Sequence, residues 1–161
     1  MNKKGFTLVE LLAVIVILAV VMLIGGTTVL PMMQKAQKSS LGTEGVSMKK
    51  AAENAFQTEL IKGSSATFKS TDKVCFSIAY LCANGYYDKG CTGSGDKYTG
   101  SVLVSPGASS TEYHMWISNE TYVYDNKTDS EITNPDNAGN GAGTNISRCG
   151  KAAGDTSYTF K

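Results

Sequence analysis

Histidine occurs once in this chain, at His114, and that scarcity removes most acid–base and metal chemistry from consideration. His114 stands in an expected strand beside Trp116 with no nucleophile or carboxylate set around it, so it reads as an ordinary strand histidine. A phosphate-cradling GxxxxGK[ST] loop is also absent. The run GCTGSGDKYTG lacks the strand-then-helix setting such a loop needs. Paired CxxC spacings are missing, which argues against a structural zinc site. Charge is sparse too, at 18% of residues with a net of +1, so neither a nucleic-acid surface nor an acidic binding tail is indicated. No AxA-like site follows the apolar start, which excludes an ordinary secretory signal peptide.

What the chain has is concentrated. Its 161 residues leave room for one modest domain. From Phe6 to Leu30 they read FTLVELLAVIVILAVVMLIGGTTVL, with Glu10 as the only charge. As a helix these 25 residues reach about 37 Å, enough for a bilayer core of about 30 Å. Lys3 and Lys4 precede the run, and a polar sequence rich in Ser, Thr, Gly, Asn and Tyr follows it. The lysines place residues 1–5 in the cytoplasm and residues from about 34 onward outside.

Glu10 is the anomaly of the span. A carboxylate at the centre of a membrane helix costs about 2.5–3.5 kcal/mol on insertion scales, and less near the interface. Two readings stay open on physics alone: a headgroup position that tolerates the charge, or a cationic partner from another chain.

Lys3-Lys4-Gly5-Phe6-Thr7-Leu8-Val9-Glu10 resembles the processing site of type IV prepilins and their pseudopilin relatives, with the match running from Lys3 to about Leu18. The resemblance implies cleavage after Gly5 by a membrane aspartic peptidase and N-methylation of Phe6. It also implies that Glu10 pairs with the freed amine of Phe6 in a neighbouring subunit during assembly. A charge buried in an apolar bundle needs such a counter-charge. Gly5 suits a cleavage site because a residue without Cβ lets a protease approach the backbone. Loss of Lys3 and Lys4 lowers the 15 basic side chains by two, to 13 against 14 acidic. Further implied partners are other copies in a helical filament, minor pilins, an assembly platform protein and a cytoplasmic ATPase. No cofactor is expected. The implied fold class is α+β: a long helix, membrane-spanning in its first half, laid on a small antiparallel sheet.

Gly25, Gly26 and Pro31 form the expected weak zone of that helix, since glycine costs about 1 kcal/mol and proline about 3 relative to alanine. The helix is expected to bend or partly melt over 25–31. In the family such a zone is linked to helix extension during filament packing, although Pro31 lies about one turn later than usual.

Four segments follow from this reading: a leader at 1–5, an apolar helix at 6–33, an amphipathic continuation at 34–62 and a head at 63–161. In the continuation, Leu41, Met48, Ala52, Ala55, Phe56 and Leu60 fall on one stripe. Ser39 to Gly45, with two glycines and a threonine, threatens to interrupt it, and Gly63 is the expected stop. In the head, Ser77 caps a short helix to Ala83 that Asn84-Gly85 ends. Val102–Val104, Glu112–Ile117 and Thr121–Tyr124 read as strands, the last two as a hairpin. Segments such as CFSIAYLCANGYYDKGC and KYTGSVLV also resemble the heads of some Gram-positive pilins.

Cys75, Cys82, Cys91 and Cys149, carried behind a membrane segment, favour disulfides. Three pairings are possible. Sequence proximity suggests Cys75 with Cys82, leaving Cys91 to Cys149. From Asn134 to Ser147 the sequence NPDNAGNGAGTNIS reads as a loop without core-forming residues. Asp136, Asn137, Asn140 and Asn145 offer oxygens to calcium, as in major pseudopilins. However, EF-hand spacing is absent and only Asp136 is charged, so a loop held by Cys149 is the preferred reading. Asn-x-Ser/Thr triplets at Asn119, Asn126 and Asn145 indicate surface exposure.

Three functions stay open: a pilus subunit serving adhesion, motility or DNA uptake, a pseudopilin of a secretion or competence system, and a membrane-anchored binding domain. The leader and Glu10 weigh against the last, because a plain anchor needs neither.

Overall fold

In the computed structural model, residues 6–62, 69–89, 91, 98–141, 149 and 158–160 are described. Gly5, Gly63 and Asn145 lie outside them. The chain divides into two compact units, residues 1–36 and 37–161. Helix α1, Leu8–Ile61, contributes its first part to one and its second to the other.

In the first unit the large apolar side chains of α1 are exposed, from Leu8 and Val9 through Leu18 to Leu30 and Met33. The helix is long and apolar enough to cross a membrane. A buried core helix passes the same length test, but here none of the apolar window is covered by protein. The expected melting at 25–31 is not seen: α1 runs on through Gly25, Gly26 and Pro31. A proline inside a helix removes one backbone bond and crowds one carbonyl. Continuous helical turns on both sides keep that loss local.

The second unit is α+β. After α1 come β1 (Lys73–Ser77), α2 (Ile78–Ala83), β2 (Thr99–Pro106), β3 (Thr111–Ser118) and β4 (Tyr122–Lys127). Then follow α3 (Asp129–Ile132), a 3-10 turn at Pro135–Asn137, β5 (Gly139–Asn140) and β6 (Tyr158–Phe160). The sheet order is β5-β4-β3-β2-β1-β6. Its first five strands pair antiparallel, and β6 joins β1 in parallel.

Alternation explains the layers. Val74 and Phe76, Val102 and Val104, and Met115 and Ile117 enter one buried cluster with Leu41, Met48, Ala52, Ala55 and Phe56 of α1. The alternate residues Cys75, Leu103 and Trp116 form a second, smaller cluster with Cys149. Each large apolar side chain fully withdrawn from water contributes about 1.5–3 kcal/mol, so the helix-facing cluster dominates the stability of the head.

Three expectations in this unit need correction. The stretch from Ser39 to Gly45 does not interrupt α1. Gly42 and Gly45 are instead buried against α3: a Cβ on Gly42 would run into the Ile132 carbonyl oxygen, and one on Gly45 into the Ile132 side chain. The glycines are the condition for that close approach. The segment from Asn134 is also not a featureless loop, because it holds the 3-10 turn and β5, and Ala138 is buried. Asn134 starts the turn by accepting from the Asp136 N–H, and Gly139 pairs with Val123 of β4. The third correction concerns the disulfides and is given with the site.

Helix α2 forms as its sequence indicates. The Ser77 hydroxyl accepts from Tyr80 N–H, and Gly85 takes a positive φ of 73° just after Asn84, where a residue without Cβ ends the helix at least cost.

Candidate functional site

The segment that opens α1 is built from three residues. Thr7 precedes the first helical residue, and Glu10 is the third within the helix. The Thr7 N–H donates to Glu10 Oε2 at 2.9 Å, and the Thr7 hydroxyl donates to the same oxygen at 2.9 Å. In return the Glu10 N–H donates to Thr7 Oγ1 at 3.3 Å. These reciprocal bonds are a capping box, which satisfies two backbone N–H groups that a helix start otherwise leaves open. A carboxylate at this end also sits favourably in the helix dipole. Phe6 lies just outside, 80% exposed.

Its own chain thus gives Glu10 two donors at the start of the apolar helix. Sequence reasoning singled out Glu10 but missed Thr7. The signal was present as Thr7-x-x-Glu10 directly before an apolar run. The same pattern recurs at Thr128-x-x-Glu131, which caps α3, a helix sequence reasoning also missed.

The four cysteines form two disulfides, Cys75–Cys149 and Cys82–Cys91, and not the local Cys75–Cys82 pair expected from sequence proximity. The reason lies in the strand-to-helix turn at Ser77. Cys75 points to the sheet face occupied by Leu103 and Trp116, whereas Cys82 packs against the helix-facing core. The two therefore stand on opposite sides of the sheet. One bridge closes a short loop after α2 and the other clips Cys149 to the middle of β1.

Asp136 and Asn137 lie in the 3-10 turn and Asn140 in β5. The Asn137 amide donates to the Glu131 carbonyl at 2.8 Å, a structural bond. No cluster of three or more His, Cys, Asp or Glu able to hold a metal occurs among the described residues. Of the sequon asparagines, Asn119 is engaged in the β3–β4 turn, where its Oδ1 accepts from Thr121 N–H at 2.9 Å and Tyr122 N–H at 2.6 Å.

On the far side of the head, Glu44 of α1 accepts from the Tyr87 hydroxyl at 3.1 Å and from Lys89 Nζ at 2.9 Å. Lys49 pairs with Asp129 at 2.7 Å. These contacts join the second half of α1 to the segment after α2 and to α3. Such partly exposed pairs contribute at most about 1 kcal/mol each, so they align these elements more than they stabilise them.

Comparison with known proteins adds one finding. Residues 1–26 match the family described as the prokaryotic N-terminal methylation motif. No curated protein and no solved structure matches the chain.

Proposed function

We propose that this chain, a prepilin-like protein of the type IV pilin and pseudopilin class, is the structural subunit of a type IV pilus. The methylation motif marks a structural substrate of processing and not an enzyme. The observation that carries the reading is the motif's continuity with the helix: from Leu8 onward its residues lie in an exposed apolar helix whose first turn is closed by Thr7 and Glu10.

In this reading the precursor is held in the cell membrane by the first part of α1, with its N-terminus cytoplasmic. A prepilin peptidase cuts after Gly5, and Phe6 is methylated. The Phe6 amine then meets Glu10 of a neighbouring subunit, and the apolar surfaces of many helices bury one another. There helix–helix packing replaces lipid contacts, and the cost of a carboxylate in that bundle is offset by the amine. Energy for assembly comes from a cytoplasmic ATPase through a membrane platform protein. Although α1 is continuous there, Gly25, Gly26 and Pro31 lower the intrinsic helix propensity and so give the subunit a place to change length as it packs.

The motif belongs to pilins and pseudopilins alike. The choice of a surface pilus rests on the head, about 100 residues carrying two disulfides, which suits an exposed filament in an oxidising compartment. Glu10→Ala tests the assembly role. Normal leader removal with extracellular filament yield reduced at least about tenfold is expected, because an unpaired amine would be left in the bundle. Wild-type filament yield from Glu10→Ala subunits would overturn it. A calcium requirement for folding, with processed chain confined to the membrane, would turn the assignment to a pseudopilin.

A further inference from the structure

The two disulfides sit in different surroundings. Cys75 and Cys149 are each 1% exposed and cluster with Leu103 and Trp116, and the contact of Cys149 Sγ with Ser101 Oγ is buried as well. Cys82 and Cys91 are half-buried, and each sulfur lies 3.8 Å from the Lys89 carbonyl oxygen in an exposed contact. Thiol–disulfide exchange requires a thiolate to reach a sulfur, so access separates the two bridges. A dissolved thiol can approach the second bridge while the head is folded. The first is closed to it until the sheet opens.

What the accessible bridge holds is equally specific. As far as Tyr87, the chain after α2 is fixed by other means. The N–H groups of Tyr86 and Tyr87 donate to the Leu81 carbonyl at 2.9 and 3.3 Å, and the Tyr87 ring is buried in the core. Its hydroxyl donates to Glu44 of α1. Asp88 and Lys89, which follow, are exposed. The Lys89 ammonium rests on Glu44 at 2.9 Å, a partly exposed ion pair that holds little without further restraint. That restraint is the bridge. Cys91 Sγ lies 3.4 Å from the Tyr87 carbonyl oxygen, so the bond to Cys82 folds the segment back and keeps Lys89 within reach of α1.

We propose that the Cys82–Cys91 bridge is a redox strap: dithiols open it while the head stays folded and Cys75–Cys149 stays closed, and opening releases Lys89 from α1. In the exchange, one thiolate of the dithiol attacks a strap sulfur and the Cys82–Cys91 bond breaks. Its electron pair leaves on the other sulfur, which takes up a proton. The second thiol of the reagent loses its proton and attacks the mixed disulfide, freeing the other cysteine. Both cysteines end as thiols, and the dithiol leaves oxidised as a cyclic disulfide. Attachment of this segment to α1 thereby depends on whether the medium is oxidising or reducing. The inference concerns the head alone and stands whether the subunit builds a pilus or a pseudopilus.

The full-length processed chain, in detergent, is incubated with increasing dithiothreitol, trapped with iodoacetamide, freed of both reagents and mapped by peptide mass. Cys82 and Cys91 are expected to carry label at a dithiothreitol concentration at least about tenfold below that needed for Cys75 and Cys149. Far-UV circular dichroism should be unchanged at that lower concentration. Trypsin should then cut the trapped protein after Lys89 at least about tenfold faster than the oxidised protein, with cleavage after Lys127 of β4 unaltered. Cys82→Ser/Cys91→Ser, which carries no label, should be cut after Lys89 at the fast rate without reductant. Labelling of all four cysteines together would overturn the proposal, as would loss of the helical signal when the strap opens. So would cleavage after Lys89 no faster than in oxidised protein, in both the trapped chain and the serine variant.

Discussion

The hydroxyl of Tyr124, on β4, lies 3.1 Å from the carbonyl oxygen of Lys38 in α1 and 3.3 Å from that of Asn134. The Tyr124 ring is fully buried, so one side chain fixes the height of the sheet along the helix and anchors the segment after α3. Tyr124→Phe keeps the ring and deletes the donor. It should lower head stability by about 1 kcal/mol in urea unfolding, leaving leader processing unchanged. An unchanged urea midpoint would show that the hydroxyl holds nothing.

Gly42 and Gly45 are expected to resist alanine, although alanine is the better helix former by about 1 kcal/mol. At Gly42 the new methyl meets the backbone carbonyl of Ile132, which cannot move without shifting α3. At Gly45 it meets the end of the Ile132 side chain, which can turn aside. Gly42→Ala should therefore destabilise by about 1–3 kcal/mol and Gly45→Ala by less. Thermal unfolding decides the order, and a stabilised Gly42→Ala variant would refute the packing.

Peptide mapping of non-reduced protein should recover Cys75 with Cys149 and Cys82 with Cys91. The first bridge spans 74 residues and the second 9. Loop-closure entropy then assigns about 4.5 kcal/mol to the first and about 2.7 kcal/mol to the second. Cys75→Ser/Cys149→Ser should accordingly unfold at lower temperature than Cys82→Ser/Cys91→Ser. Recovery of a Cys75–Cys82 peptide would reverse the assignment.

Alkali should weaken the head in a defined window. Burial, with Glu59 beside it, pushes the Tyr80 hydroxyl up to about 12. Burial and then Glu44 push Tyr87 higher still, and burial raises Tyr113 and Tyr124 as well. An unfolded tyrosine titrates near pH 10, so above that pH the folded chain holds more protons than the unfolded one. Stability is thus complete below about pH 10 and is lost as pH rises toward about 12. On the acid side, hydrogen bonds from Thr128 hold the Glu131 carboxyl below its usual range. Its contribution is present above about pH 4.3 and lost as pH falls further. Melting temperatures across the alkaline window check the first claim, which a flat profile would contradict.

What the sequence disclosed followed local rules. The apolar run and Glu10 were legible because a membrane imposes length and a charge inside it demands a reason. Leu41, Met48 and Ala55 were legible through helical period, and Ser77 with Asn84-Gly85 through capping chemistry. What escaped depends on contacts distant in sequence. Gly42 and Gly45 look like helix breakers until Ile132 is seen beside them. Cys75 looks like a partner for Cys82 until alternation on β1 sends it to the other face. Strand β6 pairs with β1 across more than 80 residues, and no local pattern announces that. Thr7 is the exception, a local signal present in the sequence and passed over.

The central claim is that this chain is a processed subunit of a surface filament. Its most direct test is the intact mass and N-terminal sequence of the chain recovered from sheared cell-surface material. The account predicts a chain that begins at methylated Phe6 in that fraction. A chain that still begins at Met1 or Asn2 would contradict it and leave a membrane-anchored head that never polymerises.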